Sequence, residues 1–99
     1  MEGKNKDFNN FQAEKLLLVY QSENSASKAM FLQELISCNK NFGAKSIVNQ
    51  KLILKNSYSH ETAESVICDL GFKLKVFDTK VENDLFGQPK NHLSIIVIN

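Results

Sequence analysis

The residues with the clearest potential for chemistry lie in a short segment that carries positive charge and no acid. Residues 38–60 contain four lysines and neither aspartate nor glutamate, whereas residues 1–37 and 61–99 each carry a net negative charge. Lysine neutralises phosphate, and asparagine and glutamine hydrogen-bond to the edges of bases. The candidate nucleic-acid-binding residues of this acid-free segment are Lys45, Ser46, Asn49, Gln50, Lys51, Lys55 and Asn56. The pattern indicates contacts with double-stranded DNA, with a solvated lysine face that has no partner as the alternative.

The residue types that perform catalysis are present but not in catalytic patterns. Cysteine, histidine and carboxylate residues never occur at metal-ligand spacing, and four scattered glycines form no phosphate-binding loop. A dyad of Cys68 with His60 or His92 is conceivable, although a buried thiol and a solvated histidine are the commoner arrangement. We therefore expect a protein that is not an enzyme and that needs neither a metal ion nor a cofactor.

Length and composition favour one small domain. The chain has 99 residues, 42% of them hydrophobic, and a formal net charge of +1, with lysine as its only strongly basic residue type. This is enough for a single core without disulfide or metal staples, and the charge is too balanced for a non-specific nucleic-acid coat. We expect residues 1–6 to be a flexible tail and residues 7–99 to be one domain.

The first half of the chain has the periodicity of helices. With Asp7 as a possible N-cap, Ala13, Leu16, Leu17 and Tyr20 recur at helical spacing. A polar break at 21–27 separates this helix from a second one at about 26–38. Residues 39–43 then favour a turn, because asparagine and glycine tolerate left-handed backbone angles.

Residues 44–54 are ambiguous. Ala44, Ile47, Val48 and Leu52 fit one face of a helix, with the polar residues on the opposite face. The β-branched content and the central Asn-Gln pair would also fit a weak hairpin. We favour the helix, so that the fold would contain about four helices.

The last forty residues give clearer local signals. Ser59 can cap a helix with Ala63, Val66, Ile67 and Leu70 on its core face, and Gly71 stands at the C′ position. Residues 72–77 alternate as a half-exposed strand, 83–91 form a polar loop, and 93–98 are strongly β-prone. The predicted class is α+β, a small helical bundle followed by a short C-terminal β-hairpin or by strands that pair across a dimer.

The segment KNSYSHETAESVICDLGFKLKV, residues 55–76, resembles the closing part of Cro/repressor-type helix-turn-helix domains, and the HigA-like antitoxins in particular. Thr62 near the helix start, the Leu70–Gly71 pair and the amphipathic strand at 72–76 occupy the places of that family's motif. Gly43 precedes Gly71 by about the family's interval, although Ser57–Tyr58 stands where the family has Asn-Pro. The resemblance implies that 44–54 is the recognition helix, preceded by the helix at 26–38. It also implies a homodimer that represses its own operon and that, as in some members of the family, also binds a toxin.

Two functional hypotheses follow. The first is a sequence-specific DNA-binding transcriptional regulator, such as an antitoxin-like autorepressor. The second is a small protein–protein interaction module or inhibitor, of phage or mobile-element type, without DNA binding. An apolar terminal strand invites edge pairing with a partner or with a second copy.

The expected location is the cytoplasm. Residues 1–7 lack the apolar centre of a signal peptide, and the apolar run at 16–20 is far too short to cross a bilayer. We therefore expect no membrane partner.

Overall fold

The computed structural model describes residues 10–38 and 47–99, and the elements within these ranges are three helices and a three-stranded antiparallel sheet. The elements follow in the order α1 (Asn10–Ser22), α2 (Ala26–Cys38), β1 (Lys51–Leu54), α3 (His60–Asp69), β2 (Lys73–Asn83) and β3 (Pro89–Ile98). The predicted tail at 1–6, the possible cap at Asp7 and the predicted turn at 39–43 lie outside the described residues.

Helix α3 shows how local sequence sets the ends of an element. The Ser59 hydroxyl accepts a hydrogen bond from the amide of Thr62 at 3.1 Å, which satisfies one of the free donors of the first turn. Gly71 follows the last turn with a φ of +92°, a left-handed conformation that glycine adopts without steric cost. The predicted cap and the predicted C′ glycine are both confirmed.

Strand β3 is the centre of the sheet, whose order is β1-β3-β2. β1 pairs with its C-terminal half, from Lys51 opposite Ile96 to Leu54 opposite Leu93. β2 pairs with its whole length, and the register shifts once, between Leu74 and Val76. Because side chains alternate between the faces of a strand, one face of this sheet packs against the helices and the other is open to solvent.

The core lies between the inner face of the sheet and helices α2 and α3, and α1 packs against α2. Leu93, Ile95 and Val97 of β3 are fully buried, as are Phe31, Leu32 and Leu35 of α2. Tyr20 ties α1 to α3, since its buried hydroxyl donates to Asp69 Oδ2 at 2.6 Å. Burial and this bond to a carboxylate raise the pKa of the Tyr20 phenol well above its usual range.

The predicted bundle of about four helices is wrong, although the class remains α+β. Within the described residues there are three helices, and residues 51–54 of the expected recognition helix form strand β1. Leu52 and Leu54 are buried while Lys51 and Ile53 are exposed, which is the two-residue period of a strand. The apolar strand β3 offers backbone partners to Lys51–Leu54, and that pairing outweighs the helical spacing of Leu52 from Ile47 and Val48.

The C-terminal hairpin is longer than expected. β2 and β3 remain paired out to Asn83 opposite Pro89, so the polar loop predicted at 83–91 shrinks to a turn at 84–88. Pro89 begins its strand, a position where a missing amide donor does least harm. The result is a two-stranded arm, defined here as residues 78–92, that extends past the helices.

A candidate interaction site at the end of the hairpin arm

The arm begins where the helices no longer cover the inner face of the hairpin. Leu93 on β3 is fully buried, but Val81, further along the same face of the hairpin, is 68% exposed. Every residue from Asp78 to Asn91 is exposed. Cross-strand pairing alone therefore holds the outer part of the arm together.

A network around Asp84 fixes the turn at the end of the arm, residues 84–88, called the tip from here on. Asp84 Oδ1 accepts hydrogen bonds from the amides of Phe86 at 2.8 Å and Gln88 at 2.9 Å. The backbone adds bonds from Asp84 N to Gln88 O at 2.9 Å and from Gly87 N to Asp84 O at 3.0 Å. Gly87 has a φ of +76°, a left-handed backbone conformation that glycine adopts without steric cost. An aspartate that bonds to amides two residues on is a common way to rigidify a turn.

This rigid turn presents two large apolar side chains to solvent. Leu85 is 99% exposed and Phe86 is 89% exposed. Full burial of such side chains contributes about 1.5–3 kcal/mol each, so a pocket that took both would strengthen binding by about a hundredfold or more. Because Asp84 already orders the backbone, little conformational entropy is lost when the tip is bound. The arrangement is suited to insertion into an apolar cavity.

The charge of the hairpin is nearly balanced. Residues 73–92 contain four lysines and three acidic residues. His92 Nε2 lies 3.1 Å from Glu82 Oε1, so one of these acids is engaged with a neighbouring strand. A β-ribbon that binds nucleic acid through its backbone phosphates needs a strong positive field, and this one lacks it.

A shallow cavity of about 250 Å³ opens on the solvent face of the sheet, lined by Lys51, Ile53, Lys80, Glu82, His92 and Ser94. Ser94 is only 8% exposed, and its hydroxyl makes no hydrogen bond to another described residue. The serine, histidine and glutamate thus share a cavity without the serine–histidine contact that activates a nucleophile. In the described part of the chain, no three histidine, cysteine or acidic residues are grouped so that they could hold a metal ion.

The residues predicted to bind nucleic acid do not share one helix face. Lys45 and Ser46 lie outside the described residues. Asn49 occupies a left-handed turn at φ +62° and donates its amide to Val97 O, and Gln50 follows it. Lys51 lies on the solvent face of β1, and Lys55 follows the strand's end. On a helix, two side chains that are four residues apart lie within about 6 Å of each other. Along a strand, four residues span about 13 Å.

Lys55 and Asn56 are held instead by an acid from another element. Glu34 of α2 accepts the amide of Lys55 at 2.8 Å, and both the amide and the side-chain nitrogen of Asn56, at 3.2 and 2.6 Å. It also accepts the Tyr58 hydroxyl at 2.6 Å. The acid-free segment of the sequence therefore has an acid beside it in space, and Asn56 has a structural role.

The bond between Tyr58 and Glu34 changes the ionisation of both side chains. Partial burial opposes ionisation of Glu34, but the bonds from Tyr58, Lys55 and Asn56 outweigh it and lower the pKa of this carboxyl. Partial burial and the bond to the carboxylate raise the pKa of Tyr58 to about 12. Glu34 is therefore a charged anchor for the turn that follows β1.

The tip residues were not predicted from the sequence, which placed them inside a polar loop. The signal was present as the adjacent Leu85 and Phe86 between Asp84 and Gly87, two apolar residues flanked by turn-forming ones. Nothing in this local pattern distinguishes a displayed pair from one that folds back onto a core.

The helices of the described region are all too short or too polar to cross a membrane. Comparison with protein-family models, with curated proteins and with solved structures gives no match, so the geometry of the arm is the basis for a functional interpretation.

Proposed function

We propose that this chain is a protein-binding module that inserts the tip of its arm into an apolar pocket of a partner protein. The observation that carries the proposal is the pair Leu85 and Phe86, almost fully exposed on a turn that Asp84 holds rigid. Aromatic and large aliphatic anchors of this kind dominate the binding energy of protein interfaces. A toxin, as the resemblance to antitoxins implies, would be a partner of this class.

Binding is favoured over catalysis because no reactive group is activated in the described residues. Ser94 lacks a contact to His92, and Cys68 is a free, exposed cysteine. A free thiol on the surface also suits the reducing cytoplasm, which is the location we propose.

The proposal is tested with purified partners. Proteins retained by the wild-type chain but not by a Leu85→Ser/Phe86→Ser variant would be identified by mass spectrometry, purified and titrated by calorimetry. We expect the double variant to weaken binding by about a hundredfold, since two anchors are lost. Lys73→Ser/Lys90→Ser, a control on the same hairpin, should change affinity by less than about fivefold because rim charges add little.

The competing outcome is binding to DNA. A fluorescence-anisotropy titration with duplex DNA at several salt concentrations would show it as affinity that falls steeply with salt. Tight, salt-sensitive DNA binding that the tip variant retains, without any protein partner that depends on the tip, would overturn the proposal in favour of the DNA-binding regulator.

A further inference from the structure

We propose that two copies of this chain pair antiparallel through their β2 strands, about a two-fold axis at Thr79. The partner is a second copy, and the surface is the outer edge of β2, which is distinct from the tip. The inference goes beyond the proposed function and does not depend on it.

The first observation is a long regular edge. In the described part of the molecule, β2 has β3 on one side and no strand on the other. Its one register shift lies between Leu74 and Val76, so the edge is regular from Val76 to Asn83. Proteins usually protect an exposed edge with a bulge, a proline or a very short strand, because unpaired amides and carbonyls can pair with another chain. No bulge or proline interrupts residues 76–83. Charged side chains are a further common protection, but those at Asp78 and Lys80 have opposite signs and can complement a second copy.

The second observation is the charge pattern along that edge. In an antiparallel pair of identical strands, a two-fold axis at Thr79 places Asp78 opposite Lys80 of the second copy. By symmetry, this pair occurs twice in the dimer. Opposite charges directly across two strands are favourable, and like charges are unfavourable. Neither Asp78 nor Lys80 forms an ion pair with another described residue, so both are available.

Neighbouring registers are worse. An axis at Asp78 would place two aspartates opposite each other, and an axis at Lys80 would do the same with two lysines. An axis at Val81 would oppose Asp78 with Asp84, and the Glu82 that it places opposite Lys80 already contacts His92 at 3.1 Å. The charges of β2 thus select the register centred on Thr79.

The third observation is an apolar pair on the opposite face of the same edge. Val81 is 68% exposed, and Phe77 is only partly buried, although both project from the inner face of the sheet. In the Thr79 register, Phe77 lies opposite Val81 of the second copy, twice. An aromatic residue across from a β-branched one is a favourable cross-strand pair. Dimerisation thereby covers Val81 and the exposed part of Phe77, which the helices leave open.

The register is tested by cross-linking in a chain whose native cysteines are replaced, Cys38→Ser/Cys68→Ser. In this background, Thr79→Cys would place two thiols opposite each other at the axis, and mild oxidation should yield a disulfide-linked dimer in high yield. Asn91→Cys, an exposed control on β3 of the same arm, should remain monomeric. Equal yields for the two variants, or no dimer from Thr79→Cys, would overturn the register.

The association itself is tested by sedimentation equilibrium of the full chain, whose monomer mass is 11.2 kDa. We expect twice that mass for the wild type and at least a tenfold weaker dimer for Lys80→Asp. The charge reversal Asp78→Lys/Lys80→Asp should restore the dimer, because it recreates both cross-strand pairs. Unaltered dimerisation of Lys80→Asp, or a wild type that is monomeric throughout, would refute the proposal.

The tip variant Leu85→Ser/Phe86→Ser separates the two proposals. It should dimerise like the wild type while losing its protein partner. A dimer without a tip-dependent partner would refute only the proposed function, and a monomer that still binds through its tip would refute only the pairing of β2.

Discussion

At the residue scale, Glu34 links two parts of the chain that are distant in sequence. One carboxylate accepts four hydrogen bonds, three of them from Lys55 and Asn56 and one from Tyr58. Tyr58 in turn packs edge-on against Phe31 of α2 at 5.0 Å between ring centroids. These contacts attach the end of β1 to α2, which explains why the segment after the strand has a defined course.

Replacing this carboxylate should destabilise the fold. For Glu34→Gln we expect a loss of about 1–2 kcal/mol in the free energy of unfolding, because charge-assisted bonds become neutral ones and one amide donor is left facing a nitrogen. Urea denaturation would measure the change. Glu64→Gln is the matched control: Glu64 is exposed and lies 3.9 Å from His60, so its loss should cost less than about 0.5 kcal/mol. Equal effects of the two substitutions would contradict the anchoring role.

The same carboxylate predicts a dependence of stability on pH. The pKa of Glu34 is lowered from a reference value of 4.5, so the folded state binds its proton more weakly than the unfolded state does. Its contribution is fully present above pH 4.5 and is lost as the pH falls through the lower folded pKa. The difference in stability between the wild type and Glu34→Gln should therefore shrink on acidification. A difference that stays constant from neutral to acidic pH would count against ionisation as its origin.

At the element scale, the turn at the end of the arm owes its order to one side chain. Asp84→Ala removes the acceptor of the Phe86 and Gln88 amides. Because both amides are near solvent, we expect little change in global stability but faster hydrogen exchange at these two positions. NMR would report the rates, with Lys90→Ala as the control on the same arm. Unchanged exchange in Asp84→Ala would show that the backbone bonds alone are sufficient.

The elements differ in how far the sequence could predict them. Helix α3 was predictable because Ser59, the apolar stripe and Gly71 act within a few residues of one another. Strand β1 was not, because its state depends on pairing with β3, about forty residues further along the chain. Glu34 was missed for the same reason, since its partners at 55–58 come together with it only in the folded chain. Leu85 and Phe86 contradict the general burial of apolar residues, and such exceptions carry functional information that periodicity does not show.

At the scale of the whole molecule, some apolar residues are buried and others are exposed. Replacing a leucine by alanine should change the free energy of unfolding very differently in the two sets. Leu54 is fully buried and Leu85 is 99% exposed. We expect Leu54→Ala to lower the free energy of unfolding by about 2–5 kcal/mol and Leu85→Ala to change it by less than about 0.5 kcal/mol. Chemical denaturation of both variants tests this. A large loss of stability in Leu85→Ala would mean that the tip packs against the protein itself.

The pairing of β2 has a consequence for the stability of the whole molecule. When two folded chains associate and unfolded chains do not, mass action makes the melting temperature rise with protein concentration. A hundredfold increase in concentration contributes up to about 1.4 kcal/mol per chain, which corresponds to about 5–10 °C for a domain of this size. Calorimetric scans of the wild type over that range should show the rise, and scans of Lys80→Asp should be nearly flat. Since Lys80 is exposed, both proteins should melt at similar temperatures when dilute. A concentration dependence that Lys80→Asp shares in full would place the contact between copies somewhere other than the β2 edge.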